Sequence, residues 1–446
     1  MRVVVVGGGA AGVVAARTAR EHGADVVLIS ADEHIAYSPC AIPFVISGEI
    51  ERPEDILMRD PTHYERLGID VRLGVRVEEV DPEEKVVTTE DGDTVEYDSM
   101  VLATGGEPLV PPIEGSELDG VFTVRRFSDI EPLLRAVQES ERAVIVGAGP
   151  IGVEMAYALH ERGLEVTLVE MLDRVLPQFL DDDVAAIVQE RMEKEGVRVL
   201  LGSPVEAIEG DDRVEAVVVN GEEIEADLVV MAAGVRPVTD LFESIGASVL
   251  PFGVEVDPAL RVKREDGGVF DDIYAAGDCV ADWCPITGER VPSQLGTVAV
   301  RQGKIAGKNA AGGPRATWMG TLNTAVIRVF DLEAAGAGLT QTRAEELGLE
   351  VVSATVETTT RARYYPGGEP IAVKLIADAD THRIVGVQSV GGERVRERVD
   401  GVALAIRLAA KVEDLLSWDY SYSPPVARVI EPIYEAAELL REELHS

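Results

Sequence analysis

The sequence has 446 residues, of which 80 are acidic and 41 are basic, for a formal net charge of −39. At about 100–200 residues per domain, this length predicts two to four domains, and 46% hydrophobic residues allow a large core. Such an acidic chain is not expected to offer the basic face that nucleic acids or anionic membranes require. No apolar run approaches the roughly 18 residues of a membrane span, and the first is too short for a signal peptide. We therefore expect a soluble cytoplasmic protein.

Cysteine and lysine are both scarce. Cys40, Cys279 and Cys284 are too few for a disulfide framework and show no metal-binding spacing, so we expect a reducing compartment and no metal site. Seven lysines stand against 34 arginines. Acid-rich surfaces with few lysines stay hydrated and screen their own repulsion in concentrated salt. The composition is typical of a halophile, and ordinary acidic solubility is the alternative.

Residues 1–30 predict a strand, a glycine-rich turn, a helix ending near Gly23 and a second strand, ADVVLIS. The first strand, MRVVVV, is a continuous apolar run suited to a buried parallel strand. In a G-x-G-x-x-G turn, the first glycine permits the turn, the second lets the backbone approach a pyrophosphate, and the third lets helix and strand pack closely. The helix N-terminus then binds phosphate with its free N–H groups. The predicted loop residues are Gly7, Gly9, Ala10, Ala11 and Gly12.

Residues 142–170 repeat this order of elements, and a duplicated unit is more informative than either copy alone. The loop residues of the second copy are Gly147, Gly149, Pro150, Ile151 and Gly152. Its second strand ends in Glu170, whose carboxylate can accept from a ribose 2′-OH and repel a 2′-phosphate. We therefore predict NADH as the donor and leave NADPH open. At the matching place in the first copy stand Ser30, Ala31 and Asp32, and either Ser30 or Asp32 could bind the ribose.

Each copy later finishes in a buried apolar strand and a turn of small residues, Ala103-Thr104-Gly105 in the first copy and Ala232-Ala233-Gly234 in the second. The segment IYAAGDCV is an apolar strand that ends in Gly277-Asp278. A carboxylate there could accept from the polyol chain of a flavin, and a plain Gly-Asp turn is the alternative. After Gly320, a βαβ-like segment, a hairpin signal around Pro366 and two late helices predict a third, α+β domain.

Cys40 lies in the segment YSPCAIPF, soon after the second strand of the first copy. Small and apolar residues follow it, as if a helix began at or just after the cysteine. A helix N-terminus lowers the pKa of a thiol and so favours the thiolate near neutral pH. Free cysteines usually only pack, which is our interpretation of Cys279 and Cys284. The two nucleotide sites favour a redox role for Cys40.

Together these segments resemble the FAD-dependent pyridine nucleotide–disulfide oxidoreductases, and within them the single-cysteine branch of coenzyme A-disulfide reductase, NADH oxidase and NADH peroxidase. The resemblance covers nearly the whole chain and is carried by GGGAAG, YSPCAIPFVISG, LATGGEPLVPPIEG, VIVGAGPIGVEMA, IYAAGDCV, QLGTVAVRQGKIAGKNAAGG and RARYYPGGEPIAVKL. It implies an α/β fold with two Rossmann-like dinucleotide-binding domains, as in glutathione reductase, and a C-terminal α+β dimerisation domain. We place an FAD-binding domain at 1–118 and 248–319, an NAD(P)H-binding domain at 119–247 and the dimerisation domain at 320–446.

The resemblance also implies FAD, NADH and a homodimer. The implied FAD contacts include the first glycine loop, the strand end at Ser30 to Asp32 and the turn at 103–105. Further along the chain, they are Asp278, Leu295, Gly296, Thr297 and Ala299. Those implied for NAD(P)H are the second glycine loop, Glu170 and Gly234. In the two-cysteine branch a partner thiol lies five residues on, and here that position is Val45, so no active-site disulfide can form at that spacing.

The single-cysteine enzymes differ in their acid–base groups. Oxidases and peroxidases carry a histidine in the first glycine loop, where this chain has Ala10. Coenzyme A-disulfide reductases lack that histidine and use tyrosines from the partner subunit, which are implied here at Tyr364, Tyr365 and Tyr422. The tyrosine expected after Pro424-Pro425 is Val426, a departure that affects the acid–base group and the substrate.

We therefore predict that electrons pass from NADH through FAD to Cys40, which reduces a low-molecular-weight disulfide, above all coenzyme A disulfide. Candidate substrate contacts are Arg17, Arg20, Ser38 and Pro39, with solvated surface arginines as the alternative for the first two. An NADH oxidase and a polysulfide or sulfur reductase are alternatives on the same scaffold. An NADH-sensing flavoprotein is the alternative of a different class.

Overall fold

The structure, a computed structural model, describes residues 1–445. Its first 110 residues contain β1 (Arg2–Val6), α1 (Ala10–Glu21), β2 (Asp25–Ser30), α2 (Ile42–Ser47), α3 (Pro61–Arg66), β3 (Ile69–Leu73), β4 (Val77–Asp81), β5 (Val86–Thr89), β6 (Thr94–Glu96), β7 (Ser99–Leu102) and β8 (Gly106–Pro108). Residues 111–250 contain β9 (Val121–Thr123), α4 (Ile130–Glu139), β10 (Arg142–Val146), α5 (Pro150–Glu161), β11 (Glu165–Val169), α6 (Asp182–Glu195), β12 (Arg198–Leu200), β13 (Val205–Glu209), β14 (Ala216–Val219), β15 (Glu222–Glu225), β16 (Leu228–Met231), β17 (Val235–Pro237), α7 (Asp240–Ser244) and β18 (Val249–Leu250).

The remaining elements follow in two groups. Residues 251–320 contain β19 (Gly253–Glu255), β20 (Arg261–Lys263), β21 (Val269–Ala275), β22 (Val280–Trp283), β23 (Arg290–Val291) and α8 (Gly296–Ala310). Residues 321–445 contain β24 (Ala325–Val329), β25 (Leu332–Gly338), α9 (Gln341–Glu346), β26 (Val351–Thr359), β27 (Pro370–Asp378), β28 (Ile384–Gly391), α10 (Val395–Arg407), α11 (Val412–Leu416) and α12 (Pro432–Leu444).

The first glycine turn follows the central strand of a six-stranded sheet of order β20-β21-β7-β1-β2-β3. All neighbours in it are parallel except the edge strand β20. A parallel sheet covered on both faces requires strands that are apolar throughout, which explains the unbroken valines of β1. Helices α1 and α8 pack together on this sheet, and a Cβ at Gly303 of α8 would lie 2.4 Å from the carbonyl oxygen of Ala11. Small residues therefore let the two helices meet at backbone distance.

The second glycine turn lies in the same place in another sheet, of order β12-β11-β10-β16-β9, whose strands are all parallel. The order β16-β10-β11-β12 repeats the order β7-β1-β2-β3 of the first sheet. Each unit also carries a three-stranded antiparallel sheet, β4–β6 in the first and β13–β15 in the second. The predicted duplication is confirmed. The antiparallel pair β8–β17 connects the two units.

The last third of the chain forms a five-stranded antiparallel sheet of order β24-β25-β28-β27-β26. The predicted βαβ-like segment is wrong in its connections, because β24 and β26 lie at opposite edges of this sheet. The sequence signal missed β25, LEAAGAG, since it has no β-branched residue. Three helices follow rather than two, the additional one being the five-residue α11. The predicted α+β character is confirmed.

No helix within residues 1–445 is both long and apolar enough to cross a membrane. The same residues hold no group of three or more His, Cys, Asp or Glu side chains placed to bind a metal ion. Cytoplasmic location, salt adaptation and the domain bounds stay predictions.

Candidate active site

The first glycine loop joins β1 to α1. Gly7 has a φ of +110°, and a Cβ there would lie 2.1 Å from the carbonyl oxygen of Ala103. A Cβ at Gly12 would lie 1.8 Å from the carbonyl oxygen of Gly7. At Gly9 the corresponding space is open, because within residues 1–445 no heavy atom apart from those of Gly9 and its two chain neighbours lies within 4 Å of a Cβ there. In the same part of the chain no side chain caps the first turn of α1, where Ala10 and Ala11 stand. The loop therefore leaves an open cradle of free N–H groups, which fits a dinucleotide pyrophosphate.

The second glycine loop repeats this geometry. Gly147 has a φ of +107°, and a Cβ at Gly152 would lie 1.9 Å from the Gly147 carbonyl oxygen. The space at Gly149 is again open. Pro150 begins α5, where its missing N–H costs nothing, and Ile151 follows it in the first turn. Both loops thus have the shape that dinucleotide binding requires.

The two predicted ribose positions differ in their hydrogen bonds. Glu170 is buried, and its two carboxylate oxygens accept from the backbone N–H of Ala148, at 2.7 Å, and of Leu172, at 2.9 Å. Each oxygen keeps a further lone pair for a ribose hydroxyl. Ser30 is also buried, and within residues 1–445 its Oγ accepts a single hydrogen bond, from the N–H of Asp32 at 3.3 Å. Glu170 therefore holds its own glycine loop in place, whereas Ser30 makes only a local contact.

Asp278 follows β21 at the end of the first parallel sheet. Its Oδ2 accepts from Nη2 of Arg125 at 2.6 Å, while Nε of Arg125 donates to the carbonyl oxygen of Gly106 at 2.7 Å. The preceding Gly277 donates its N–H to Oε1 of Gln302 at 2.8 Å. Sequence reasoning missed Arg125, because it lies 153 residues from Asp278 and its segment carries no motif. The second oxygen of Asp278 stays free of protein partners within residues 1–445.

The other predicted cofactor contacts lie on two turns. Thr104 donates its hydroxyl to the carbonyl oxygen of Val238 at 2.7 Å, and the N–H of Val238 donates to the carbonyl oxygen of Gly105 at 3.0 Å. These bonds fix the turn after β7 against the segment that follows β17. Leu295, Gly296, Thr297 and Ala299 form the first turn of α8, which no side chain caps. Gly234 follows β16 with a φ of +121° and open space where a Cβ would stand.

Cys40 occupies a single 3₁₀ turn, Pro39–Ala41, that leads directly into α2. A helix was predicted at or just after this cysteine, and that prediction is confirmed. Ser38 precedes the turn, and Cys40 is exposed. Cys279 and Cys284 are both buried, in agreement with a packing role. Burial raises the pKa of Cys279 to about 11.

The electrostatic surroundings of Cys40 differ from the expectation. Removal of water from around the sulfur raises the pKa of the Cys40 thiol, and the carboxylates of Glu154 and Asp278 raise it further. The positive charge of Arg125 opposes them. The predicted lowering does not occur in the protein alone, because desolvation, the largest cause, and the two carboxylates raise the pKa by more than Arg125 lowers it. Burial also raises the pKa of Glu154 to about 8.

Two of the predicted tyrosines meet each other. The hydroxyls of Tyr364 and Tyr422 lie 2.7 Å apart, and this hydrogen bond raises the pKa of Tyr422. Tyr364 is 75% exposed, Tyr422 42% and Tyr365 38%. Within residues 1–445 no hydrogen bond or ring contact joins any of them to Cys40. A single chain therefore brings the tyrosines together but not to the thiol.

The two predicted substrate arginines have local partners. Arg20 donates to the carbonyl oxygens of Leu67, at 2.9 Å, and Ala24, at 3.0 Å, so it supports the backbone around α1 and α3. Arg17 forms an exposed ion pair with Glu21 on the next turn of α1. The alternative of ordinary helix arginines describes both side chains in this structure.

Comparison with known proteins accounts for this architecture. The family model of pyridine nucleotide-disulphide oxidoreductases matches residues 1–303, and the model of their dimerisation domain matches residues 324–432. The chain belongs to this family. A Methanocaldococcus jannaschii protein named NADH oxidase is 45% identical over 98% of both chains. A Pyrococcus horikoshii protein named NAD(P)H coenzyme A polysulfide/persulfide reductase is 35% identical over 99% of this chain and 98% of its own.

A solved structure agrees with these relatives. The NAD-dependent persulfide reductase from A. fulgidus superimposes with a TM-score of 0.95 at 34% identity, over 99% of this chain and 83% of that one. As a pyridine nucleotide-disulphide oxidoreductase, the protein uses FAD and NAD(P)H and carries the domain through which such chains form homodimers. The predicted family and its cofactors are confirmed, and the open cradles at the two glycine loops fit those cofactors.

Proposed function

We propose that the protein uses NADH to reduce coenzyme A disulfide and that Cys40 is the reacting thiol. The observation that carries the proposal is the exposure of Cys40, beside the Arg125–Asp278 pair, while both other thiols are buried. Val45 is buried at the place where a second redox cysteine would stand, so Cys40 has no partner in its own helix. A lone exposed thiol suits exchange with a small disulfide from solution.

The sulfur chemistry balances with Cys40 alone. Bound FAD supplies the two-electron path from NADH. The Cys40 thiolate attacks one sulfur of the substrate, forms a mixed disulfide with one coenzyme A and expels the other as a thiolate. Two electrons from NADH and one proton then break the mixed disulfide, which returns the Cys40 thiolate and releases the second coenzyme A as a thiol.

Desolvation is the largest influence on the pKa of this thiol, and charged side chains adjust it further. Arg125 favours the thiolate, and Glu154 and Asp278 oppose it. We assign Ser38 and Pro39 to the wall beside the thiol, because they flank it in the same turn. Within residues 1–445 no hydrogen bond or ring contact joins the bonded pair Tyr364–Tyr422 to Cys40, so we assign the pair to the opposite site of the homodimer. There one hydroxyl donates a proton to the expelled thiolate.

The relatives support a sulfur substrate and also a second candidate. The printed name of the P. horikoshii relative includes a coenzyme A polysulfide or persulfide, which supports a coenzyme A-bearing sulfur compound here. The M. jannaschii relative named NADH oxidase supports reduction of oxygen, in which Cys40 would cycle through a sulfenic acid. Ala10 argues against the oxidase, because that loop position then lacks an acid–base group.

The test compares Cys40→Ser with Cys284→Ser, which alters a buried thiol. The acceptors are coenzyme A disulfide, cystine, polysulfide, peroxide and oxygen, with an artificial dye as the measure of flavin reduction. Cys40→Ser should lose disulfide reduction and keep dye reduction, because only the sulfur exchange needs the thiolate. Cys284→Ser should keep both.

Mass spectrometry of protein isolated without reductant should find coenzyme A on Cys40. Disulfide reduction that survives in Cys40→Ser would remove Cys40 from the mechanism. Faster turnover with polysulfide than with coenzyme A disulfide would identify polysulfide as the substrate instead. Rapid oxygen consumption with a sulfenic Cys40 would establish the oxidase.

A further inference from the structure

A cleft opens between the first turns of α8 and the last turns of α10, and its lining includes none of the residues of the two glycine loops. Its volume is about 220 Å³, and its lining includes Arg301, Arg407 and three threonines but no acidic residue. In a chain with 80 acidic and 41 basic residues, two arginines in a cavity without a carboxylate are unusual. The cleft therefore carries positive charge that its own lining does not balance.

Neither arginine has an ion-pair partner within residues 1–445. The guanidinium of Arg301 stacks over the ring of Trp318, 4.7 Å from its centroid, and donates no hydrogen bond there. Arg407 donates to the backbone carbonyl oxygens of Met319, at 2.6 Å, and Gly320, at 2.7 Å. Burial lowers the pKa of Arg407, and the positive charge of Arg301 lowers it further. The two cations are thus close enough to repel one another.

One carboxylate acts on Arg407 but does not line the cleft. Asp282 is fully buried, and its oxygens accept from Nε1 of Trp318, at 2.8 Å, from the N–H of Trp283, at 2.7 Å, and from Nε2 of Gln302, at 2.9 Å. Asp282 is therefore hydrogen-bonded to the same tryptophan over whose ring Arg301 stacks. The negative charge of Asp282 raises the pKa of Arg407, but burial and the charge of Arg301 lower that pKa by more.

We propose that this cleft binds a phosphate group, either as free phosphate or as a phosphate monoester. The guanidinium of Arg301 keeps its planar fork of donors for the oxygens of a tetrahedral anion, Arg407 adds positive charge, and the threonine hydroxyls add donors. The volume is below the roughly 300 Å³ at which pockets for drug-sized ligands begin, so a whole dinucleotide does not fit. The lining residue Leu404 is 61% exposed, so the cleft is open to solvent on that side and leaves room for the organic group of a phosphate monoester.

The test is calorimetric titration of the FAD-loaded homodimer with inorganic phosphate, at constant ionic strength and with NAD⁺ saturating the second glycine loop. One phosphate should bind per chain. Because Thr297 lines the cleft and also lies in the first turn of α8, phosphate should shift the flavin absorption spectrum. Titration with methyl phosphate distinguishes the two forms of the ligand. Binding of methyl phosphate with the same affinity as inorganic phosphate supports a phosphate monoester, and a lack of methyl phosphate binding supports free phosphate.

The variant Arg301→Gln should weaken phosphate binding by at least about tenfold, the effect of losing a charge-assisted hydrogen bond. Arg301→Lys, which keeps the charge but not the fork, should bind with intermediate affinity. The control is Arg396→Gln on α10, which removes an exposed arginine that pairs with Asp400 and should bind as the wild type does. FAD content and thermal unfolding report whether each variant folds, and Thr324→Val should bind several-fold more weakly without any loss of charge.

Three results would overturn the proposal. The first is the absence of saturable heat with phosphate. The second is wild-type affinity in a folded Arg301→Gln or Arg301→Lys. The third is equal weakening by Arg301→Gln and Arg396→Gln, which would indicate a general effect of net charge.

Discussion

The two glycine loops have nearly the same backbone but different surroundings. Their first glycines have φ values of +110° and +107°. In each loop a Cβ on the third glycine would meet the carbonyl oxygen of the first glycine, at 1.8 Å in the first loop and 1.9 Å in the second. They differ where the next strand ends, because Glu170 accepts from the N–H of Ala148 in its own glycine loop, whereas the Ser30 hydroxyl accepts from the N–H of Asp32, outside the loop. The shared backbone suits any pyrophosphate, so the strand-end residue must distinguish the nucleotides.

The loops also differ in what their helices contact. Helix α5, which begins at the second loop, packs against α2, the helix that follows Cys40. Tyr157 donates to Glu49 at 2.5 Å, just beyond the end of α2, and Arg162 donates to the carbonyl oxygen of Ile46 within it. Helix α1, which begins at the first loop, packs instead against α8. The helix of the predicted NADH loop therefore supports the segment that carries the thiol.

The largest expected effect is a loss of unfolding free energy in Gly12→Ala and in its counterpart Gly152→Ala. Each places a Cβ within 2 Å of a backbone oxygen, and overpacking of this kind costs about 1–3 kcal/mol or more. Thermal unfolding should show losses of similar size for the two variants. An unchanged unfolding temperature in either one would contradict the shared backbone geometry.

The next effect should separate the two loops by cofactor. Gly9→Ala and Gly149→Ala each add a methyl group in open space, so both should fold and lose only the approach to pyrophosphate. We expect Gly9→Ala to lose FAD, and Gly149→Ala to keep FAD while its KM for NADH rises by at least about tenfold. FAD content and steady-state kinetics measure the two results. Loss of FAD from Gly149→Ala would reverse the assignment of the loops.

A smaller effect should follow from Glu170→Ala. It leaves the N–H groups of Ala148 and Leu172 without their acceptor, which costs about 1–3 kcal/mol of unfolding free energy. It should also narrow the preference for NADH over NADPH, because a carboxylate no longer repels the 2′-phosphate. Ser30→Ala is the matched control and should leave that preference unchanged. A wild-type preference for NADPH would refute this role of Glu170.

The smallest effect concerns the protonation of Cys40. In FAD-stripped protein with Cys284→Ser, alkylation of Cys40 by iodoacetamide should have its midpoint at a higher pH than for an ordinary cysteine, because its pKa is raised. Glu154→Gln removes a negative charge that disfavours the thiolate, so it should lower that midpoint. The difference in alkylation between the variant and the protein with Glu154 should be clearest above pH 8, where Glu154 is ionised. A midpoint that stays in place would show that the charge of Glu154 does not contribute to the raised pKa.

Local patterns in the sequence were sufficient for the duplicated units, the glycine loops and the turn that carries Cys40. An apolar run, a glycine turn and a helix start each depend on residues within a few positions of one another, so they can be read along the chain. The antiparallel third sheet could not be read in this way, because β24 and β26 resemble a parallel crossover until β25 and β28 come between them.

The sequence by itself determined that the chain is an α/β protein with two dinucleotide cradles and one candidate redox thiol. Only the tertiary structure decided which side chains act on those parts. Arg125 meets Asp278 across 153 residues, and Tyr364 meets Tyr422 across 58. The raised pKa of Cys40 likewise reflects desolvation of its sulfur and two carboxylates on segments distant in the chain. Electrostatic fields and hydrogen bonds depend on distance in space, and sequence separation does not report that distance.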